Sequence, residues 1–233
     1  MKLKVCGMKY FENIQQVAEL QPDYLGFIFY EKSKRNFDGI IPKLPTSIKK
    51  TGVFVNATIA FVVDKIQKYD LLAVQLHGDE SVAYINELKC QFERSRELFI
   101  KANVDKKLLD SVRGDNSVEI IKVFGIKETF NFEILQPYEE FVDYFLFDTK
   151  GKERGGNGIP FDWKVLKKYP YKKPFFLSGG IGLEQIEEIN KIRKTDLPIY
   201  ALDVNSKFES KAGVKKIEAL KKFKENVISN KAK

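Results

Sequence analysis

Cysteine and histidine are scarce in this chain, and their scarcity excludes two kinds of stabilised fold. The chain contains two cysteines, Cys6 and Cys90, and a single histidine, His77. Two distant cysteines give no disulfide framework. One histidine and two separated thiols also fall short of the usual ligand set of a structural zinc site. We therefore expect neither disulfides nor a bound metal.

Long apolar runs are missing as well. No stretch approaches the ~18–20 apolar residues that a membrane-spanning helix needs. The first residues, Met1 to Met8, lack the apolar centre of a signal peptide. These absences predict a cytoplasmic protein without a membrane partner.

Positive charge exceeds negative charge, giving a formal net charge of +8. Such an excess attracts anions, including nucleic acids and phosphorylated metabolites. The lysines, however, are spread along the chain, and no nucleic-acid-binding motif accompanies them. We interpret most of the charge as a solvated surface and expect no nucleic-acid partner.

Short apolar runs recur along the chain, and most are followed by a stretch with helical spacing. The runs do not alternate with polar residues, which is typical of strands buried on both faces of a parallel sheet. They cover residues 3–6, 24–29, 52–55, 73–76, 118–124, 144–147, 175–177 and 199–204. Eight strand–helix units in 233 residues predict an α/β fold, a single (β/α)8 TIM barrel formed by residues 1–233.

Two segments fit this pattern less well. Pro42 and Pro45 lie between the second and third runs, so the second helix must be short or broken. Residues 81–116 are too many for one helix, and we expect a helix followed by a charged excursion at about 90–116. Residues 98–100 are an alternative fifth strand, although residues 118–124 suit that role better.

Active-site residues of such barrels lie at the carboxyl ends of the strands. Cys6 ends the first run and Asp148 follows the sixth. A cysteine in a strand is often only a small buried hydrophobe, and an aspartate often caps the next segment. At a strand end, however, a thiolate can serve as nucleophile or base, and a carboxyl group in an apolar site can serve as general acid. Both residues are therefore candidate catalytic groups.

Three further side chains are candidate substrate ligands. His77 follows the fourth run, Lys122 lies within the fifth, and Arg35 comes shortly after the second. Each also has a structural interpretation: a loop histidine bound to backbone, a barrel lysine in an ion pair, and a surface arginine. A guanidinium at the rim of the site would suit a carboxylate or phosphate because its donors form a fork.

The segments after the seventh and eighth runs are candidate phosphate loops. Gly179 and Gly180 end the seventh run, and Asn205 and Ser206 follow the eighth. Loops at these positions, with a helix amino terminus, commonly bind phosphate in barrels. Their glycine spacing does not match a dinucleotide-binding motif. A third glycine-rich segment, residues 155–158, is either a mobile lid or simply a flexible loop.

Longer motifs then occur in a fixed order between residues 4 and 215. They are Lys4-Val5-Cys6-Gly7-Met8, Leu25-Gly26-Phe27-Ile28-Phe29 with Ser33 and Arg35, Gly52-Val53-Phe54-Val55-Asn56, Gln75-Leu76-His77-Gly78, Asp148 at its strand end, Gly155-Gly156-Asn157-Gly158, Phe161-Asp162-Trp163, Leu177-Ser178-Gly179-Gly180-Ile181, and Asp203-Val204-Asn205-Ser206 with Glu209 and Gly213. Together they resemble the phosphoribosylanthranilate isomerase family.

The resemblance implies a specific reaction. Members convert N-(5-phosphoribosyl)anthranilate to 1-(2-carboxyphenylamino)-1-deoxyribulose 5-phosphate by an Amadori rearrangement in tryptophan biosynthesis, without metal or organic cofactor. It implies that Cys6 is the general base, that Asp148 is the general acid, and that Arg35 contacts the anthranilate carboxylate. The partner is then a phosphorylated small molecule, and we expect a monomer or homodimer.

The chain departs from the family pattern at three positions. Lys34 and Ala212 each replace a usual proline, and Lys207 replaces a usual glycine, so the shapes of the second and eighth loops are in question. Lys207 either folds toward the phosphate or points to solvent, and solvent is favoured because exposed lysine is the common state. Two alternatives stay open: another phosphate-binding barrel isomerase, and an inactive barrel that serves as a binding subunit.

Overall fold

The computed structural model describes residues 1–103, 118–149 and 161–228, without the side chains of residues 95–103. Eight parallel strands in this part of the chain close into one barrel, in sequence order. The strands are β1 Lys2–Val5, β2 Tyr24–Phe29, β3 Lys49–Phe54, β4 Ala73–Leu76, β5 Glu119–Ile126, β6 Tyr144–Thr149, β7 Phe175–Leu177 and β8 Ile199–Val204. All eight predicted strands are confirmed, and so is the (β/α)8 barrel.

Helices surround the barrel, although several connections are shorter than a full helix. The α-helices are α1 Phe11–Glu19, α2 Ile59–Tyr69, α3 Val82–Asn103, α4 Ile186–Ile192 and α5 Ile217–Val227. The 3-10 helices are Phe132–Tyr138, Trp163–Lys168, Leu183–Gln185 and Ser206–Phe208. Between β2 and β3 there is no helix, in agreement with the prolines of that segment.

Two details differ from the sequence-based expectation. Helix α3 continues past Cys90 to Asn103, so the segment expected to leave the helix begins as part of it. Residues 90–103 contain no glycine or proline to stop a helix, and residues 104–117 lie outside the described part. Val214 has the helical spacing of Ile217 and Leu220, which predicts that it starts the last helix, but it forms the strand β10 Val214–Lys215, which pairs antiparallel with β9 Glu209–Lys211.

Alternation along the strands separates two hydrophobic cores. One cluster fills the barrel, and the other lies between the strands and the helices. The inner cluster consists of Tyr24, Ala73, Ile121, Val123, Leu146, Phe176 and Ala201. Successive side chains of a strand point to opposite faces, so residues two apart share a face. The residue two positions after a member of the inner cluster therefore also points inward, toward the mouth at the carboxyl ends of the strands.

A buried ion pair ties the loop after β4 to the outer side of the barrel. The Lys122 ammonium lies 2.8 Å from Glu80 Oε2 and donates to the backbone oxygen of Gly78. The other Glu80 oxygen accepts from the backbone N–H groups of Asn56 and Gly78. Glu80 thus joins the loops after β3 and β4 to strand β5.

Replacing Glu80 with alanine should destabilise the protein by about 3–5 kcal/mol, because the buried Lys122 ammonium loses its counter-charge. Urea unfolding of the purified variant measures the change. The matched control is Asp64→Asn, which breaks the exposed pair between Asp64 and Lys65 and should cost less than about 1 kcal/mol. Equal losses in the two variants would contradict a structural role for the Glu80 pair.

Candidate active site

Polar side chains gather inside the mouth of the barrel. Cys6 follows β1, Gln75 lies in β4, Asp148 in β6, Ser178 follows β7 and Asp203 lies in β8. All five are buried in the structure. The mouth therefore brings a thiol and two carboxyl groups together in a region shielded from bulk water, as predicted for Cys6 and Asp148.

The Cys6 thiol fits against a glycine of the neighbouring strand. Cys6 is 4% exposed. A Cβ atom added to Gly26 would lie 2.8 Å from its sulfur and 3.1 Å from its Cα atom. Any side chain at position 26 would displace the thiol, so the absence of one creates the space that Cys6 occupies.

A lysine without solvent exposure lies on the same strand, two residues before Cys6. Lys4 donates to Gln75 Oε1 at 2.7 Å and lies 2.8 Å from Asp203 Oδ1. Asp203 is its register partner on β8. Burial raises the pKa of Cys6 above its ordinary value and Asp203 adds to this, whereas Lys4 and Lys215 act in the opposite direction.

Asp148 has the environment of a carboxylic acid that keeps its proton near neutral pH. Burial, and then the neighbouring charge of Asp203, raise its pKa to about 7. The Thr149 N–H donates to Asp148 Oδ1 at 2.8 Å. His77 lies beside it, with Nε2 3.6 Å from Asp148 Oδ2, and its Nδ1 is 3.3 Å from the Gln75 amide nitrogen.

Arg35 reaches the mouth from the loop after β2, where a glutamate holds it. Arg35 Nε lies 3.0 Å from both oxygens of Glu209, and one terminal nitrogen lies 2.7 Å from Oε2. The same carboxylate lies 2.6 Å from the buried ammonium of Lys215, which also donates to Asn205 Oδ1. This arginine–glutamate–lysine cluster fixes the direction of the guanidinium and connects the second and eighth loops.

The candidate phosphate loops lie side by side at the ends of β7 and β8. Gly179 and Gly180 have φ angles of +90° and +63°, which residues other than glycine rarely adopt. A 3-10 helix and then α4 follow them, and another 3-10 helix follows Asn205. The structure therefore gives both loops the tight backbone and helical starts that suit an anion.

Lys207, the departure in the eighth loop, bridges these two loops. Its ammonium lies 2.8 Å from Glu184 Oε1, and both side chains are substantially exposed, at 36% and 54%. The favoured orientation toward solvent is thus only partly right, because the lysine is exposed but paired. Its hydrogen bond to the carboxylate lowers the pKa of Glu184.

Lys122 is not brought to the mouth with the other candidates. Its neighbours Ile121 and Val123 point into the barrel, so Lys122 points outward, as Ile120 does. Its ammonium is occupied by Glu80 and Gly78 on that outer side. Of its two interpretations, the structure supports the ion pair.

Six residues of this site have no role in the sequence-based prediction. They are Lys4, Gln75, Ser178, Asp203, Glu209 and Lys215. The cost of burying an unpaired ammonium in a strand applies to Lys4 as much as to Lys122. The sequence around Lys215 does not indicate its role, because its partners Asn205 and Glu209 are brought to it by the turn between β9 and β10. The helical spacing of Val214 predicts a helix there instead.

Three further observations concern a metal ion, the membrane and the glycine-rich segment. In the described part of the chain, no group of three or more His, Cys, Asp or Glu side chains is placed to hold a metal ion. No described helix has the length and apolar character to cross a membrane. The glycine-rich segment 155–158, considered as a lid, lies outside the described residues.

Comparison with known proteins gives consistent matches over nearly the whole chain. A family model described as N-(5'phosphoribosyl)anthranilate (PRA) isomerase matches residues 3–117 and 113–226. An N-(5'-phosphoribosyl)anthranilate isomerase of Parabacteroides distasonis is 38% identical over 98% of this chain and 94% of its own. The crystal structure of phosphoribosyl anthranilate isomerase from Thermotoga maritima superposes with a TM-score of 0.71 at 29% identity, covering 98% of this chain and 99% of that one.

A second crystal structure contains a ligand. It is a phosphoribosyl anthranilate isomerase in complex with reduced 1-(o-carboxyphenylamino)-1-deoxyribulose 5-phosphate, with a TM-score of 0.70 at 27% identity over 98% of this chain and 99% of that one. A closed barrel whose strand ends carry a thiol and a carboxylic acid, together with these matches, defines a (β/α)8-barrel enzyme. The chain belongs to the N-(5'-phosphoribosyl)anthranilate isomerase family and is an isomerase of tryptophan biosynthesis.

Replacing Gly26 with alanine should displace the Cys6 sulfur, because the new Cβ would lie 2.8 Å from it. We expect turnover of phosphoribosylanthranilate to fall by about tenfold or more, since small misplacements of reacting groups are costly. Gly39→Ala is the control, because the nearest atom to its added Cβ lies 3.6 Å away. Normal activity of folded Gly26→Ala would show that the thiol position is not critical.

Proposed function

We propose that the chain converts N-(5'-phosphoribosyl)anthranilate to 1-(o-carboxyphenylamino)-1-deoxyribulose 5-phosphate, with Asp148 as general acid and Cys6 as general base. The observation that carries this assignment is the pairing of environments at one barrel mouth. Burial raises the pKa of both groups, to about 7 at Asp148, and at the thiol the cations of Lys4 and Lys215 oppose this rise. A buried carboxyl group that keeps its proton and a thiol beside cations suit opposite roles in proton transfer.

The first step needs an acid. Opening of the furanose ring breaks the bond between C1′ and the ring oxygen, and the oxygen must gain a proton as it leaves. Asp148 holds that proton near neutral pH because of its burial. The nitrogen lone pair of the anthranilate then forms a double bond to C1′, giving an iminium ion.

The second step needs a base. The iminium acidifies the proton on C2′, and a thiolate at Cys6 removes it to give an enolamine, which tautomerises to the ketone. In total Asp148 has lost one proton and Cys6 has gained one. A proton returning from the thiol to the carboxylate restores the starting state, so the isomerisation is balanced without any oxidant or cofactor.

Binding groups surround these two residues. Arg35, oriented by Glu209, suits the anthranilate carboxylate through its forked donors. His77, beside Asp148, is placed to contact the opened sugar. The backbone around Gly179, Gly180, Asn205 and Ser206 suits the phosphate dianion. Lys122 contributes through the loop that carries His77 rather than through substrate contact.

A direct assay distinguishes this function from the two alternatives. Purified protein is mixed with freshly formed phosphoribosylanthranilate, and loss of the anthranilate fluorescence is followed with a coupled step that consumes the product. Turnover supports the proposal. Activity on another sugar phosphate instead would favour a different barrel isomerase, and binding without turnover of either would favour an inactive subunit.

Substituting Cys6 with alanine should leave the fold intact and reduce kcat by about 10²–10⁴-fold, the usual contribution of a general base. Cys90→Ala is the matched control, because Cys90 is an exposed thiol on α3 and its loss should change kcat little. Steady-state kinetics of both variants provide the measurement. Wild-type kcat in Cys6→Ala would remove Cys6 from the role of base.

The pH dependence should reveal an unusual order of titration. Catalysis needs Asp148 protonated and Cys6 ionised together, yet the carboxyl group, with a pKa of about 7, loses its proton before the thiol, whose pKa is raised. The productive form is then a minor species, and it declines about tenfold per pH unit below the lower pKa. We therefore expect kcat/KM to fall as the pH drops below about 7 and to level off above it.

A kcat/KM profile between about pH 5 and 9 tests this order. A maximum on the acid side of pH 7 would instead mean that the thiol ionises before the carboxyl group. Asp148→Asn serves as the companion variant, because it keeps the shape but cannot donate the proton. Its kcat should fall by about 10²–10⁴-fold with little change in KM.

A further inference from the structure

Lys4 is a fully buried cation that takes no part in the proton-transfer steps themselves. It is 0% exposed and lies two residues before Cys6 on the same strand. Residues two apart on a strand share a face, so both side chains enter the barrel interior, one layer apart. A buried ammonium is costly unless it is paired, which makes its place directly beneath the thiol notable.

The Lys4 ammonium is held from two other strands. Gln75 Oε1 of β4 accepts from it at 2.7 Å, and Asp203 Oδ1 of β8 lies 2.8 Å away. An ammonium has three donors, and Cys6 is a further polar group that interacts with it. These two contacts come from opposite sides of the barrel and hold the ammonium in a fixed position below the thiol, away from solvent.

Further charged groups come from the loops after the two strands that flank β1. Lys215 and Glu209 come from the hairpin after β8, and Arg35 from the loop after β2. With Lys4 and Asp203, the surroundings of Cys6 hold three cations and two anions. Asp148 and His77 lie on the far side, on β6 and after β4. Of these charges, Lys4 and Lys215 favour the thiolate, whereas Asp203 opposes it.

We propose that Lys4 is the positioning residue of the catalytic base: its fixed ammonium stabilises the Cys6 thiolate, and Asp203 limits that effect by sharing the charge. The inference rests on the proposed role of Cys6. Lys215 acts on the thiol less strongly than Lys4, and its ammonium is engaged by Glu209, at 2.6 Å, and by Asn205. Burial opposes ionisation of the thiol, and Lys4 is the largest influence against it.

The test measures the thiol itself rather than turnover. In a Cys90→Ala background Cys6 is the remaining cysteine of the chain, so its alkylation by iodoacetamide reports how readily the thiolate forms. Lys4→Met should move the pH midpoint of alkylation upward by about one unit or more, which is about a tenfold slower reaction at a fixed pH below the midpoint.

Asp203→Asn should change the alkylation rate in the direction opposite to Lys4→Met. It removes a negative charge beside the same thiol and keeps a group that can accept from Lys4, so alkylation should become about tenfold faster at the same pH. A merely structural role would loosen the site in both variants and shift both rates in the same direction. If Lys4→Met does not fold, the pH midpoint of Asp203→Asn decides, because loosening changes the rate at every pH whereas loss of the negative charge lowers the midpoint. An unchanged or higher midpoint overturns the proposal.

Lys122→Met is the matched control. It removes another buried lysine from a strand and leaves its partner Glu80 unpaired, so it carries a similar stability cost without a charge beneath Cys6. Its alkylation midpoint should equal that of the Cys90→Ala parent, and a shift as large as that of Lys4→Met would overturn the proposal. Because alkylation needs no turnover, failure of Cys6 as base would appear separately, as retained activity in Cys6→Ala.

Discussion

An ammonium buried inside a barrel must find an anion at the same depth, and this requirement organises the whole mouth of the enzyme. Lys4 meets it through Asp203, its register partner on β8, and through Gln75 on β4. The contact joins strands β8 and β1, where the barrel closes. The same carboxylate raises the pKa of Asp148 and that of Cys6, so the pair that joins β8 to β1 also influences both proposed catalytic groups.

Charge pairing is used again around the rim, with different consequences at each place. On the outer side of the barrel, Lys122 and Glu80 stabilise the loop that presents His77. After β8, Glu209 forms ion pairs with both Arg35 and Lys215 and so orients the guanidinium toward the mouth. The net charge of +8 is therefore a poor guide to function, since the cations that matter are the few that are buried and paired.

The strands could be read from the sequence because each is a short apolar run buried on both faces. The catalytic candidates followed from the same pattern, since Cys6 and Asp148 are where those runs end. The hairpin after β8 could not be read, because Val214 continues the apolar spacing of α5 and its pairing with Lys211 is a contact between loops. Lys122 shows the remaining ambiguity: a lysine in a strand must be paired, but spacing alone does not say on which side.

Burial acts on the two proposed catalytic groups in the same direction but helps only one of them. Removing water raises the pKa of Asp148, which keeps the proton that a general acid must donate. The same removal raises the pKa of Cys6, which hinders the thiolate that a general base must supply. A dry site therefore cannot provide both groups by desolvation alone. The asymmetric placement of Lys4 and Lys215 near the sulfur offsets part of this penalty where ionisation is needed, and in this way one shielded mouth can hold an acid and a base together.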